Sequence, residues 1–364
     1  MGEEAVPSLV AALSSDDAGV RRWAAVALGE IGATGEDTLA ALSRNLGDRH
    51  TSDATAAALG RIGKPAVPLL CRALRSEHSG ERAAAALAFH RMGPGAKGAT
   101  DALLAVLADP DMDVRENAAR ALGSIGDAAV SALRAALASG DENVREAAAQ
   151  ALEVMGSSAA PAADALAQAL RDELDFVRTA ALRALHRLGP AAVEPVSALL
   201  TDRDEAVRAT AAEALEKGGE AAVPLLLRLL GDDSPGVRLA AAWSLSRVRP
   251  ADAGTLGRSV AAFRALLVPS CEQRREAAVR LGLLGGKARE AVPELIGLLS
   301  DPDRHVRFAA AEALGKIGPP AHAALGALAA LKAEGGEWLR PAAELAIRRI
   351  KERTPPPQGG ESPK

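Results

Sequence analysis

Tyrosine is missing from the 364 residues, and aromatic residues make up only 2% of the chain. A sequence so poor in rings has little with which to build base-stacking platforms or aromatic cages. Cysteine occurs twice, at Cys71 and Cys271. The two are too few and too far apart for a disulfide framework, and both fit as small apolar residues. Although 48% of the residues are hydrophobic, no apolar run approaches the ~20 residues of a membrane helix. The opening Met1-Gly2-Glu3-Glu4-Ala5-Val6 is acidic, lacks an apolar signal core, and fails the myristoylation pattern at Val6. A cytoplasmic protein with no membrane partner is expected. The net charge of −4 argues against a nucleic-acid binder. There is no Walker-type phosphate loop, no His-Glu-x-x-His and no nucleophile elbow, so no catalytic residue, cofactor or metal is expected.

What the chain does have is a repeat. Aligned on a closing position, Gly32, Gly63, Gly93, Gly126, Gly156, Gly189, Gly219, Gly285 and Gly318 coincide, with Arg249 and Lys351 replacing glycine in the eighth and eleventh copies. Successive spacings are 31, 30, 33, 30, 33, 30, 30, 36, 33 and 33 residues, the mark of a stacked-repeat protein. Four residues before the close every copy is apolar, from Leu28 to Ile347; eight before it, alanine fills ten of eleven copies, Thr55 being the exception. That spacing makes one face of a helix, here helix B, which the glycine ends in a left-handed conformation. Upstream runs such as Ala66-Val67-Pro68-Leu69-Leu70 predict a second helix, A, with proline in its first turn. No such unit can bury its apolar face alone; the stack buries it.

The turn from A to B reads Asp-x-x-x-Arg in Asp17 to Arg21, Asp111 to Arg115, Asp141 to Arg145, Asp204 to Arg208 and Asp303 to Arg307. Aspartate caps the B helix. A cation in the first turn opposes the helix dipole, yet arginine holds this position in ten of eleven copies, Ser52 standing in the other. The economical explanation is an aspartate partner in the same or the adjacent repeat, giving a structural ladder of Asp–Arg pairs. Copy 2 breaks the pattern at Asp48 to Ser52, and copy 9 at Val268 to Arg274, where a change of curvature is expected.

The Asp-x-x-Val-Arg turn, with an Ala-Ala-x-Ala-Leu-Gly-x-Ile-Gly helix, resembles the HEAT repeat. The short period resembles the bacterial phycobilisome-lyase-type branch. The resemblance implies an all-α, right-handed α-solenoid of about eleven two-helix repeats over residues 1–353, with B helices on the concave side. The remaining residues, 354–364, are rich in proline and glycine and are expected to be disordered. The resemblance names three functions: a protein-binding scaffold, a bilin lyase or other chromophore handler, and a hydroxylase like deoxyhypusine hydroxylase. The last takes its iron from paired His-Glu motifs, and this chain contains no His-Glu dipeptide. The low aromatic content counts against a tetrapyrrole pocket.

The positions ten, six and three before each close are expected to face solvent on the B helices. They hold Glu116 and Arg120; Glu146, Gln150 and Glu153; Thr179, Arg183 and His186; Glu213 and Glu216; Leu239 and Trp243; Arg275; then Phe308 and Glu312. Alternating charges beside an apolar step have the composition of an interface. A protein or peptide is therefore expected to dock there, with Trp243 as anchor and Arg183 and Glu213 setting register, on a monomeric chain. Glu153, His186 and Glu216 share one position, but helices 8–10 Å apart do not readily bring three such side chains onto one ion. Basic residues two before the close, Arg187 and Lys217 among them, fit as complements of the helix dipole.

Overall fold

The structure is a computed structural model that describes residues 2–248, 252–268 and 272–352. The closing Arg249, the Pro269–Cys271 part of the ninth turn and the tail from 354 lie outside the described residues. Among the described residues every regular element is helical, and the chain divides into two bodies, Met1–Val196 and Ser197–Lys364. The first body carries six B helices: α1 (Ala18–Ile31), α2 (Ser52–Ile62), α3 (Ser79–Met92), α4 (Met112–Ile125), α5 (Glu142–Met155) and α6 (Asp175–Leu188). The second carries five: α7 (Glu205–Ala214), α8 (Pro235–Arg247), α9 (Arg274–Leu284), α10 (Arg304–Ile317) and α11 (Gly336–Glu352). The architecture is an α-solenoid.

The first helix of each repeat is less regular than the B helix. It commonly opens as a 3-10 turn and continues as a short α-helix, as in Lys64–Ala66 followed by Val67–Ala73. Proline sits in the first turn at Pro7, Pro68, Pro224 and Pro293, where no donor is needed. The ninth repeat differs: Ala253–Ala265 is one unbroken helix, capped by the Asp252 carboxylate accepting from the Thr255 N–H at 2.6 Å.

The two apolar rows build the core. Leu28, Leu59, Phe89, Leu122, Leu152 and Leu185 in the first body, and Leu215, Leu245, Leu281 and Leu314 in the second, are all fully buried. Each contributes about 1.5–3 kcal/mol by leaving water. Glycine three before the close lets neighbouring B helices touch. A Cβ on Gly29 would lie 2.7 Å from Ala58 Cα, and one on Gly123 2.6 Å from the Val154 side chain. The row three before the close thus faces the next helix sideways rather than open solvent.

The closing glycines all have positive φ, from 59° to 78°. Gly32 takes the helix-ending left-handed conformation, with ψ 36°. Gly63, Gly93, Gly126, Gly156, Gly189, Gly285 and Gly318 have ψ between −127° and −144°, a region open essentially to glycine alone. That turn sends the chain directly into the first helix of the next repeat, a 3-10 segment in each case except Gly126, which leads into the α-helix Asp127–Ala136.

The turn aspartates cap as expected: Asp17, Asp111, Asp141, Asp204 and Asp303 each accept a backbone N–H two residues on. The ladder uses a different set. Arg21 pairs with Asp48, Arg82 with Asp109, Arg145 with Asp172, Arg208 with Asp232 and Arg274 with Asp301. In repeats 4 and 10 these partner carboxylates stand two residues before the caps Asp111 and Asp303. Nη1 of Arg82, Arg145 and Arg208 also donates to the carbonyls six and five residues back. These acceptors offset the helix dipole that disfavours a cation here. The ladder skips Arg115, whose guanidinium bonds, among the described residues, only the Asp109 and Pro110 carbonyls, because the next repeat has Ser139 at the carboxylate position.

Candidate functional site

With most turn arginines committed to the ladder or to turn carbonyls, the exposed B-helix positions remain. In the first body they form a groove over the C-terminal halves of α4, α5 and α6, with a volume of about 520 Å³. Its lining brings Arg120, Glu153 and Arg183 together with Glu116, Gln150, Val154 and Arg187. Arg120 donates to Glu116 at 3.1 Å, one turn back on α4. Arg183 donates from α6 to Glu153 on α5, also at 3.1 Å. Gln150 donates to Glu146 at 2.9 Å; Glu146 itself is not among the residues that line the groove. Val154, 48% exposed, is the apolar part of the floor. His186, next to Arg187 on α6, is half-buried and is not among the residues that line the groove. Neither Val154 nor Arg187 belongs to the ten, six and three rows, though Arg187 was visible as one of the basic residues at a helix end.

In the second body, Glu213 is exposed and Glu216 is half-buried. Glu216 accepts from Lys217 and from Arg247 on α8, both at 2.8 Å. Burial pushes its carboxyl up, but the Lys217 and Arg247 cations outweigh that and hold it below the ordinary carboxylate value. Leu239 and Trp243 pack against the core of this body. The Trp243 ring is not a bare apolar step. The Arg280 guanidinium of α9 lies 4.4 Å from its centre and that of Arg247 lies 5.2 Å away, with Arg280 itself bonded to Glu276 at 2.7 Å. Charge and ring thus alternate across α7, α8 and α9, and each cation–π contact is worth about 0.5–2 kcal/mol.

Two exposed tryptophans lie outside the ten, six and three rows. Trp338, near the start of α11 and 46% exposed, stacks on Phe308 of α10 at 4.8 Å and meets His305 edge-on at 5.2 Å. Arg304 lies 5.6 Å from the same ring. The signal available in the sequence was Phe308, with a second large ring thirty positions on. At the other end, Trp23 is 71% exposed beside Val20, because the first repeat has no preceding B helix among the described residues to cover that face.

Among the described residues no group of three or more His, Cys, Asp or Glu side chains is arranged to hold a metal ion. No described helix is long and apolar enough to cross a membrane. Glu153 and Glu216, two members of the row considered for a metal, are both engaged by cations.

Similar structures show the same architecture. The karyopherin Kap121p bound to the extreme C-terminus of the protein phosphatase Cdc14p superposes with a TM-score of 0.61 at 14% identity, over 96% of this chain and 45% of that one. Kap121p bound to Nup53p gives 0.57 at 15% identity, over 96% and 45%. Importin beta gives 0.51 at 16% identity, over 96% and 57%. The chain therefore spans about half the length of these karyopherins, and the likeness is one of fold. No curated protein sequence matches it. The sequence profile of HEAT repeats matches residues 2–58, 100–186, 193–256 and 260–348. With the glycine-closed B helices and the stacked leucine row, that coverage establishes that the chain belongs to the HEAT-repeat family.

Proposed function

We propose that this protein is a non-enzymatic interaction scaffold that docks a protein or peptide on its B-helix face. The observation that carries the reading is the groove over α4, α5 and α6, where three arginines and two glutamates surround an exposed Val154. Arginine beside an apolar floor is what binding hot spots are made of. The wider surface comprises Arg120, Glu146, Glu153, Arg183 and His186 in the first body and Glu213, Glu216, Leu239 and Trp243 in the second. Trp243, braced by Arg247 and Arg280, serves as a rigid anchor. The Kap121p structures with protein partners support a protein ligand for a fold of this kind. The period near thirty residues supports membership of the short, phycobilisome-lyase-type branch. A chromophore-handling role and an iron-dependent hydroxylase role are both less well supported, for want of an aromatic pocket and of His-Glu pairs.

The test is a pull-down from native lysate with the wild type and an Arg183→Glu, Trp243→Ala double variant of unchanged helicity and melting. A partner retained by the wild type and lost by the variant is the expected outcome. Equal retention moves the site off this face. Capture of nothing by the wild type overturns the scaffold reading, and a coloured or metal-loaded protein isolated from its own cells then favours one of the other two roles.

A further inference from the structure

The chemistry of the first-body groove specifies its ligand further. The inference rests on the scaffold reading and names the partner's character. Both carboxylates of the groove are already covered: Glu116 by Arg120 and Glu153 by Arg183. The cations are not used up. Arg120 donates through one Nη and Arg183 through Nε alone, and their side chains remain 51% and 50% exposed. Arg187, one turn beyond Arg183 on α6, has no hydrogen-bond or ion-pair partner among the described residues. A guanidinium carries five N–H donors and no acceptor. The groove therefore holds a surplus of donors and, with three arginines against two glutamates, one surplus positive charge.

The dipole of α6 explains why a cation is tolerated at position 187. Among the described residues no carbonyl of that turn accepts from the cation's N–H groups. We propose that the groove recognises an acidic protein segment: an Asp or Glu side chain that Arg187 grips in a forked pair, with an apolar neighbour resting on Val154. Bidentate arginine–carboxylate contact supplies both direction and strength. The apolar floor, beside Ala119, selects against a bare polyanion, which would bring no side chain to cover it.

The experiment pans a random dodecapeptide library displayed on phage against the intact chain. Enriched peptides are expected to carry Asp or Glu next to an apolar residue. Synthesised, they should bind the Arg187→Glu chain about tenfold more weakly or worse, and the Arg187→Lys chain at an intermediate level, since lysine keeps the charge but loses the fork. Arg187 is exposed, so these variants leave the fold intact, which matching melting curves verify. Enrichment of peptides without acidic bias, no enrichment, or binding that survives Arg187→Glu overturns the proposal. So does displacement of the peptide by a single-stranded oligonucleotide at equal charge concentration, which would make the site a general anion trap. Failure here with a successful pull-down refutes only the acidic ligand; a pull-down that captures nothing refutes the scaffold itself.

Discussion

Arg82 reaches Asp109, twenty-seven positions further along the chain, with Nε and Nη2 at 2.7 and 2.8 Å from the two carboxylate oxygens. The pair links the turn of one repeat to the turn of the next. It is also largely sheltered, at 13% and 7% side-chain exposure. A sheltered, forked pair is worth more than the 1 kcal/mol or less of a surface ion pair, and breaking it leaves an uncompensated charge. Asp109→Ala is expected to cost roughly 1–3 kcal/mol in urea unfolding. Glu116→Ala, which breaks the exposed pair with Arg120 on a single helix, should change stability by less than about 0.5 kcal/mol. Equal effects would show that the ladder adds nothing beyond local helix pairing.

The same carboxylates give the protein an acid limit. The paired guanidiniums of Arg208 and Arg274 hold Asp232 and Asp301 below the ordinary carboxylate range. For Asp48 the leading cause is the His50 backbone N–H, with Arg21 next. For Asp109 and Asp172 burial pushes up, and the arginine and backbone donors outweigh it. A folded value below the unfolded one, about 3.9, means the stabilisation is complete above that value and is lost as pH falls through the folded values. The melting temperature should be insensitive to these groups from neutrality to about pH 5 and fall steeply below about pH 4. Asp232→Asn should lower the neutral melting temperature and flatten the acid slope. An unchanged slope in that variant would remove Asp232 from the explanation.

Much of this was readable from the residues, and the limit is physical. The closing glycines and the apolar rows are local periodicities, so they mark the B helices directly. The ladder was foreseeable as arginine with aspartate, but Asp109 rather than Asp111 is Arg82's partner. The Asp111 carboxylate caps its own helix, and only the path of the turn decides which acid faces the neighbour. The row of Glu153, His186 and Glu216 read as open solvent because a single helix wheel contains no neighbour. Gly29 and Gly123 in the same row, with the next helix in contact, show what that wheel left out. Trp338 was missed because it lies a full turn outside the rows.

Glycine substitutions test the close approach with opposite signs. In Gly315 an added Cβ would lie 2.8 Å from Ala346 Cα, a backbone atom that cannot step aside. Gly315→Ala should destabilise by about 1–3 kcal/mol, as overpacking does. Gly257 lies within the helix Ala253–Ala265, has no positive φ, and would meet nothing within 4 Å. Gly257→Ala should stabilise by about 0.5–1 kcal/mol through the unfolded chain's lost entropy. If both stabilise, the helices are not in contact at Gly315.

Thr55 is the one departure from alanine in the buried row eight before the close, and its hydroxyl is buried with no hydrogen-bond partner. An unsatisfied buried hydroxyl costs about 1–3 kcal/mol, and threonine is also a poorer helix former than alanine by a few tenths of a kcal/mol. Against this stands the loss of one packed methyl, about 1 kcal/mol. Thr55→Ala should therefore stabilise by about 1 kcal/mol, and Thr55→Val, which keeps the volume and removes only the polar atom, by as much or more. The two variants separate the causes in one thermal-melting series. Gain in both assigns the cost to the stranded hydroxyl. Gain in alanine alone assigns it to the branched side chain crowding α2 against its neighbours. Loss in both means the hydroxyl has a partner, such as a bound water, that satisfies it in the folded protein.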